Sequence, residues 1–153
     1  MKRVLLGVGN HLSRDDGVGP AVARAMDGVD GWMTIDCGIA LENASGIVAR
    51  EEPDLLVIVD AAQMGLPPGS IRRLPIESTD RMLASTHGLP LSFVIERIGA
   101  AVQETVLIGI EPGDLTFGEG ISEPVSKAAD ALAEILRGGD AERVPALEAS
   151  GSD

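Results

Sequence analysis

Leu55-Leu56-Val57-Ile58-Val59-Asp60 is the most apolar continuous run in the chain, and it ends on an acid. Pro53 lies just before it, and a loop carrying Gly65, Pro67 and Pro68 follows. So short an apolar run between breakers reads as a strand covered on both faces, at the centre of a sheet. A carboxylate closing such a strand is costly to bury unless it is hydrogen-bonded or holds a cation, so Asp60 is a candidate functional residue.

Working outward, residues 3–9 read as a second buried strand closed by Gly-Asn. Val18, Val22, Ala25 and Met26 recur at helical spacing. Trp32 to Asp36 reads as a strand, and Leu41, Ala44, Ile47 and Val48 as a helix weakened by Gly46. The short, charged, proline-ended stretch 70–75 suits an edge strand. A helical stripe runs through Leu91, Val94, Ile95 and Ile98. Thr105 to Ile110 is a further buried strand, and Val125 to Leu136 carries a last amphipathic helix ended by Gly138-Gly139. This alternation predicts an α/β three-layer sandwich, with a mostly parallel twisted sheet of about five strands and helices on both faces. The expected organisation is one domain over residues 1–137 and a flexible tail over 138–153.

In such sheets ligands bind beyond the carboxyl ends of the strands. Asp15, Asp16, Asp36 and Asp60 all follow predicted strands, and His87 precedes a predicted helix. Two carboxylates and an imidazole suit a divalent ion such as nickel, zinc or manganese, and leave coordination positions open for substrate. One of the adjacent pair Asp15-Asp16 can cap the following helix, which leaves the other for chemistry. His11 reads as a surface loop residue.

Other chemistries fit less well. Gly7-Val8-Gly9 imitates the start of a dinucleotide-binding loop, but the third glycine is replaced by Leu12, and Asp15 and Asp16 would repel a pyrophosphate. No Gly-x-Ser-x-Gly elbow is present. Cys37, the single cysteine, has acidic sequence neighbours in Asp36 and Glu42 and reads as a small buried residue rather than a nucleophile.

Composition narrows the class. The 153 residues carry 24 acids against 12 bases, a formal net charge of −12. Such a surface repels phosphate backbones, and the only aromatic residues are Trp32, Phe93 and Phe117, too few for base-stacking platforms. No nucleic-acid partner is expected. No stretch approaches the roughly 20 apolar residues of a membrane span, and Gly7, Gly9 and Asn10 break the first apolar run. A soluble, cytoplasmic monomer without a membrane partner is expected.

Five ordered motifs resemble those of the nickel–iron hydrogenase maturation proteases. They are Gly7-Val8-Gly9-Asn10, Asp15-Asp16-Gly17-Val18-Gly19, Ile58-Val59-Asp60-Ala61, Thr86-His87-Gly88-Leu89-Pro90-Leu91 and Gly109-Ile110-Glu111-Pro112. The segment Asp60 to Gly69 is most similar to the branch that processes the large subunit of formate-hydrogenlyase-type (hydrogenase 3) enzymes. The resemblance implies a phosphorylase/hydrolase-like fold and an endopeptidase that removes a C-terminal extension from the hydrogenase large-subunit precursor after nickel insertion. It implies that Asp16, Asp60 and His87 contact the metal and carry the catalysis. Nickel would be met in the precursor rather than held permanently. Asp36, Cys37 and Gly38 match a segment linked to substrate recognition. On this reading Asp15 supports the loop and Asp16 faces the metal. Arg14 and Cys37 stand where the family usually has glycine. A non-cleaving, nickel-dependent checkpoint or chaperone is the alternative of another class, and a dinucleotide-binding protein a weaker one.

Overall fold

A computed structural model describes residues 1–78, 82–83 and 90–148. Five strands form one sheet in the order β2-β1-β3-β5-β4. They are β1 (Arg3–Val8), β2 (Trp32–Gly38), β3 (Leu55–Ala61), β4 (Ile71–Leu74) and β5 (Glu104–Ile110). All pairings are parallel except that of the edge strand β4 with β5. The central place belongs to β3, the run quoted first, and every one of its residues is buried.

The helices are α1 (Val18–Ala25), α2 (Ser45–Glu51), α3 (Leu91–Gly99) and α4 (Glu123–Arg137). Strand side chains alternate between faces, and the core divides accordingly. Leu5, Val57, Val59 and Ile108 pack with Val18 and Val22 of α1 and with Val125, Leu132 and Leu136 of α4. Leu6, Leu56, Ile58 and Leu107 face the opposite way, onto Val48 of α2 and Val94, Ile95 and Ile98 of α3. The three layers follow directly from period 2 in the strands meeting period 3.6 in the helices.

Residues 141–147 of the expected loose tail are docked. Ala141 to Arg143 form a 3-10 turn, and Ala141 and Val144 are buried against the α1/α4 face. The Arg73 N–H donates to the Pro145 carbonyl at 2.8 Å, the Leu147 N–H to the Arg73 carbonyl at 2.9 Å, and Arg73 Nε to the Val144 carbonyl at 2.7 Å. Residues 144–147 therefore cover the outer edge of β4. An edge strand leaves unpaired backbone groups, and satisfying them gives this segment a reason to dock that hydropathy does not reveal.

Strand order places the site. From β1 the chain crosses to β2 on one side and then returns to β3 on the other. This reversal opens a crevice at the carboxyl ends of β1 and β3, the place where open α/β sheets take their ligands. Asp16 lies in the loop after β1, and Asp60 is the next-to-last residue of β3.

Candidate active site

The loop after β1 is held by backbone fit. Gly9 has φ +153, and a Cβ there would overlap the Asp16 carbonyl oxygen. A Cβ on Gly19 would overlap the carbonyl oxygens of Val8 and Val59. The first turn of α1 thus sits directly on the ends of β1 and β3, and a 3-10 turn, Arg14–Gly17, brings the two aspartates in ahead of it.

The aspartates divide the work. Asp15 is fully buried, and its Oδ2 accepts the N–H groups of Gly113 and Asp114, both at 2.8 Å, and the Ser122 hydroxyl at 2.7 Å. Its Oδ1 accepts the Ser122 N–H at 2.7 Å. Burial pushes this carboxyl's pKa up, but the hydrogen bonds from Ser122, Asp114 and Gly113 together outweigh burial and hold it below the ordinary value. Asp15 is therefore an ionised clamp that joins the β1–α1 loop to the β5–α4 loop. It does not cap α1, whose N-cap is Gly17. Ser122 stands at the N-cap of α4 but makes no side-chain cap there, because its hydroxyl is given to Asp15.

Asp16 is also buried, and its Oδ2 accepts the Asn10 N–H at 3.0 Å. Asp60 is fully buried at the end of β3, with Oδ1 accepting the Ala61 N–H at 2.8 Å. Asp16 follows β1 and Asp60 ends the neighbouring strand β3, so both stand at the carboxyl edge of the sheet. They supply oxygen donors suited to a hard or borderline cation, or to proton transfer. His87 lies outside the described residues. Among the described residues, no three His, Cys, Asp or Glu side chains form a group that could hold a metal ion.

Glu111 was legible only within the motif Gly109-Ile110-Glu111-Pro112. It is buried after β5, and its Oε1 accepts the N–H groups of Met64 at 2.7 Å and Leu66 at 3.2 Å. It shapes the loop that leaves Asp60, as Asp15 shapes the loop beside Asp16. A buried acid immediately after a buried strand was the available signal, the same one that singled out Asp60.

Asp36, Cys37 and Gly38 end β2 at the same edge of the sheet. Gly7 pairs with Asp36 and Val8 with Gly38, so Cys37 is the extra residue of a bulge. Asp36 Oδ1 accepts the Gly38 N–H at 2.9 Å. The Cys37 thiol is pushed up to about 12 by burial, then by the charges of Asp36 and Glu42. At pH 8 only about one native molecule in 10⁴ would carry the thiolate. Alkylation by iodoacetamide is expected to run about 10³-fold slower in the folded protein than in the urea-unfolded chain. Cys37→Ala is expected to leave kcat within about twofold of wild type, with any loss falling on KM, whereas a nucleophile would lose kcat altogether.

Buried carboxylates stand at the ligand edge of this α/β sheet, and the thiol is held protonated; the class so defined is an α/β protein with an acidic candidate site. Comparison with known proteins gives the family. The family model described as HycI, hydrogenase maturation protease, matches residues 18–138. The hydrogenase 3 maturation protease of Escherichia coli strain K12 is 35% identical over 141 residues, covering 90% of each chain. The solution structure of the endopeptidase HycI from Escherichia coli superposes with a TM-score of 0.87 at 32% identity, covering 98% of this chain and 99% of that one. The crystal structure of a nickel–iron hydrogenase maturation protease HycI from Thermococcus kodakarensis KOD1 gives 0.79 at 32%, covering 90% of both. The chain belongs to the hydrogenase maturation protease family and is an endopeptidase.

Proposed function

We propose that this endopeptidase removes the C-terminal extension of a nickel–iron hydrogenase large-subunit precursor once nickel has been inserted. The observation that carries the reading is that two buried acids, Asp16 and Asp60, stand at the carboxyl ends of the neighbouring strands β1 and β3. Nickel belongs to the substrate here. Asp16 and Asp60, with His87, complete its coordination and so align the scissile peptide beside it. Holding reacting groups in register is itself a large part of the barrier reduction. A carboxylate that is not occupied by the metal can take the proton of the attacking water.

A protein substrate also accounts for Leu12, Ile39 and Phe117. These large apolar side chains are exposed on the loops after β1, β2 and β5, at the edge that carries the aspartates. Exposed apolar groups around a polar crevice suit docking of another protein. Asp36, Cys37 and Gly38, on the same edge, serve recognition of the precursor. Among the described residues no helix is long and apolar enough to cross a membrane. On this reading the enzyme acts as a cytoplasmic monomer.

The test is mass spectrometry of the precursor after mixing. Nickel-loaded precursor is expected to lose a fixed C-terminal mass, and nickel-free precursor to keep its full mass. An unchanged mass for loaded precursor that nevertheless binds would mark a non-cleaving checkpoint and overturn the proposal.

A further inference from the structure

We infer that the pocket shared by Arg14 and Arg24 is a carboxylate-binding subsite for the precursor; this rests on the function proposed above and names what the enzyme recognises beside the metal. The pocket has a volume of about 440 Å³ and is lined by His11, Arg14, Gly17, Arg24, Glu119 and Ser126, among others. That is room for one or two side chains of a peptide. Gly17 directly follows Asp16, so the pocket adjoins the loop that carries the aspartate.

Most other described cations are already committed. Arg73 and Arg137 bond backbone carbonyls, Arg137 and Lys127 pair tightly with carboxylates of their own helix, and Arg3 and Arg97 lie over Trp32 and Phe93. Arg14 and Arg24 differ. Their nearest acids, Asp114 and Asp36, each lie 3.8 Å away, beyond hydrogen-bond distance. Among the described residues no carboxylate hydrogen-bonds either guanidinium. These long, exposed pairs leave donors of both guanidiniums available, although one Nη1 donor of Arg14 is given to the Glu119 carbonyl. A carboxylate received by a guanidinium fork takes two parallel hydrogen bonds.

Arg14 is held in place for this. Its backbone is left-handed, with φ +46, a conformation that a residue with a Cβ adopts only when its surroundings hold it there. Its N–H donates to the Gly118 carbonyl at 3.1 Å, Nη1 donates to the Glu119 carbonyl at 3.1 Å, and the guanidinium lies against Gly118. A neutral carbonyl fixes the plane without consuming the charge. In a chain of net charge −12, two arginines gathered at one pocket beside the active loop give a local site for an anionic group that the rest of the surface repels. The carboxylate comes from an acidic side chain or from the chain terminus of the precursor's extension.

The experiment measures binding and cleavage of nickel-loaded precursor by wild type, by Arg14→Gln/Arg24→Gln and by Arg14→Lys. Precursors with acidic side chains of the extension changed to amides, or with an amidated terminus, separate the two carboxylate sources. The double variant is expected to raise KM and Kd about 10–100-fold with kcat within twofold, and to lose the wild type's dependence on salt. Arg14→Lys, which keeps the charge but not the fork, is expected to fall between. Unchanged KM, a fall confined to kcat, or precursor amides that bind as tightly as the acids would each overturn the subsite. If wild type binds in this charge-dependent way without cutting, the subsite stands and the peptidase reading fails. If wild type neither binds nor cuts, both fail.

Discussion

Asp16→Asn is expected to leave the fold standing and to lower the processing of nickel-loaded precursor by roughly 10²–10⁴-fold. Asp15→Asn is expected to do the reverse first: to destabilise the protein, and to lose activity only because the site loops come apart. The two residues are adjacent and both buried, yet their surroundings differ. An asparagine at 16 keeps an oxygen to accept the Asn10 N–H, so urea unfolding should shift by only about 1 kcal/mol. An asparagine at 15 must present its amide NH₂ to hydrogen-bond donors. Both Asp15 oxygens accept from N–H or O–H groups of Gly113, Asp114 and Ser122, and whichever way the amide turns, donor meets donor. Buried donors left unsatisfied, together with the lost charge-assisted bonds, set the expected cost at about 3–5 kcal/mol. His87→Ala is expected to match Asp16→Asn, with stability kept and processing lost. If Asp16→Asn and His87→Ala both process loaded precursor at the wild-type rate, the assignment of the site is wrong. Equal stabilities of the Asp15 and Asp16 variants would show that Asp15 is not the clamp.

The second large effect is expected at Gly19, a helix position where alanine would ordinarily help. Alanine in place of glycine inside a helix usually gains about 0.5–1 kcal/mol. Here the new methyl would meet the carbonyl oxygens of Val8 and Val59. These belong to two adjacent strands, β1 and β3, whose positions are set by the sheet, so neither oxygen can move aside alone. Gly19→Ala is therefore expected to lose about 3 kcal/mol or more, a fall in Tm of about 10 °C for a domain of this size. Because the same overlap would push the 3-10 turn off the strand ends, processing should fall further than stability does. A variant as stable and active as wild type would mean that α1 does not rest on those strands. Gly46→Ala is the control, since a Cβ there meets nothing within 4 Å, and it should stabilise α2 or leave it unchanged.

Both predictions concern how the acidic loop is seated, and this is where sequence and structure part. The run from Leu55 to Asp60 could be placed at the centre of the sheet from its composition alone, because only a strand covered on both faces can be apolar at every position. The stripes of α1, α3 and α4 were legible for the complementary reason, since one apolar face repeats with the helical period. Asp60 stood out as an acid closing that run. The doubled aspartate marked the loop, but the cap expected of one of the pair is absent, since α1 starts on Gly17 with no side-chain cap. Arg14 stands at a left-handed position, which explains in backbone terms why glycine would be the usual occupant.

The rest depended on contacts between residues far apart in the chain. Asp15 reaches Ser122 across 107 positions, and Glu111 reaches back to Met64 and Leu66; no local pattern marks such partners. The tail looked loose because its sequence has no apolar period, yet the open edge of β4 takes up residues 145–147 through backbone hydrogen bonds that any sequence can make. Periodicity and composition by themselves determined the elements, the layers and the candidate acids, because burial on one face leaves its mark residue by residue. The ordered motifs added the expected family. Strand order decided that the loops after β1 and β3 face one crevice, and long-range hydrogen bonds decided which of two adjacent aspartates is structural. These are properties of where the chain returns, and the physical information for them lies in the sheet and the packed loops rather than in any one stretch.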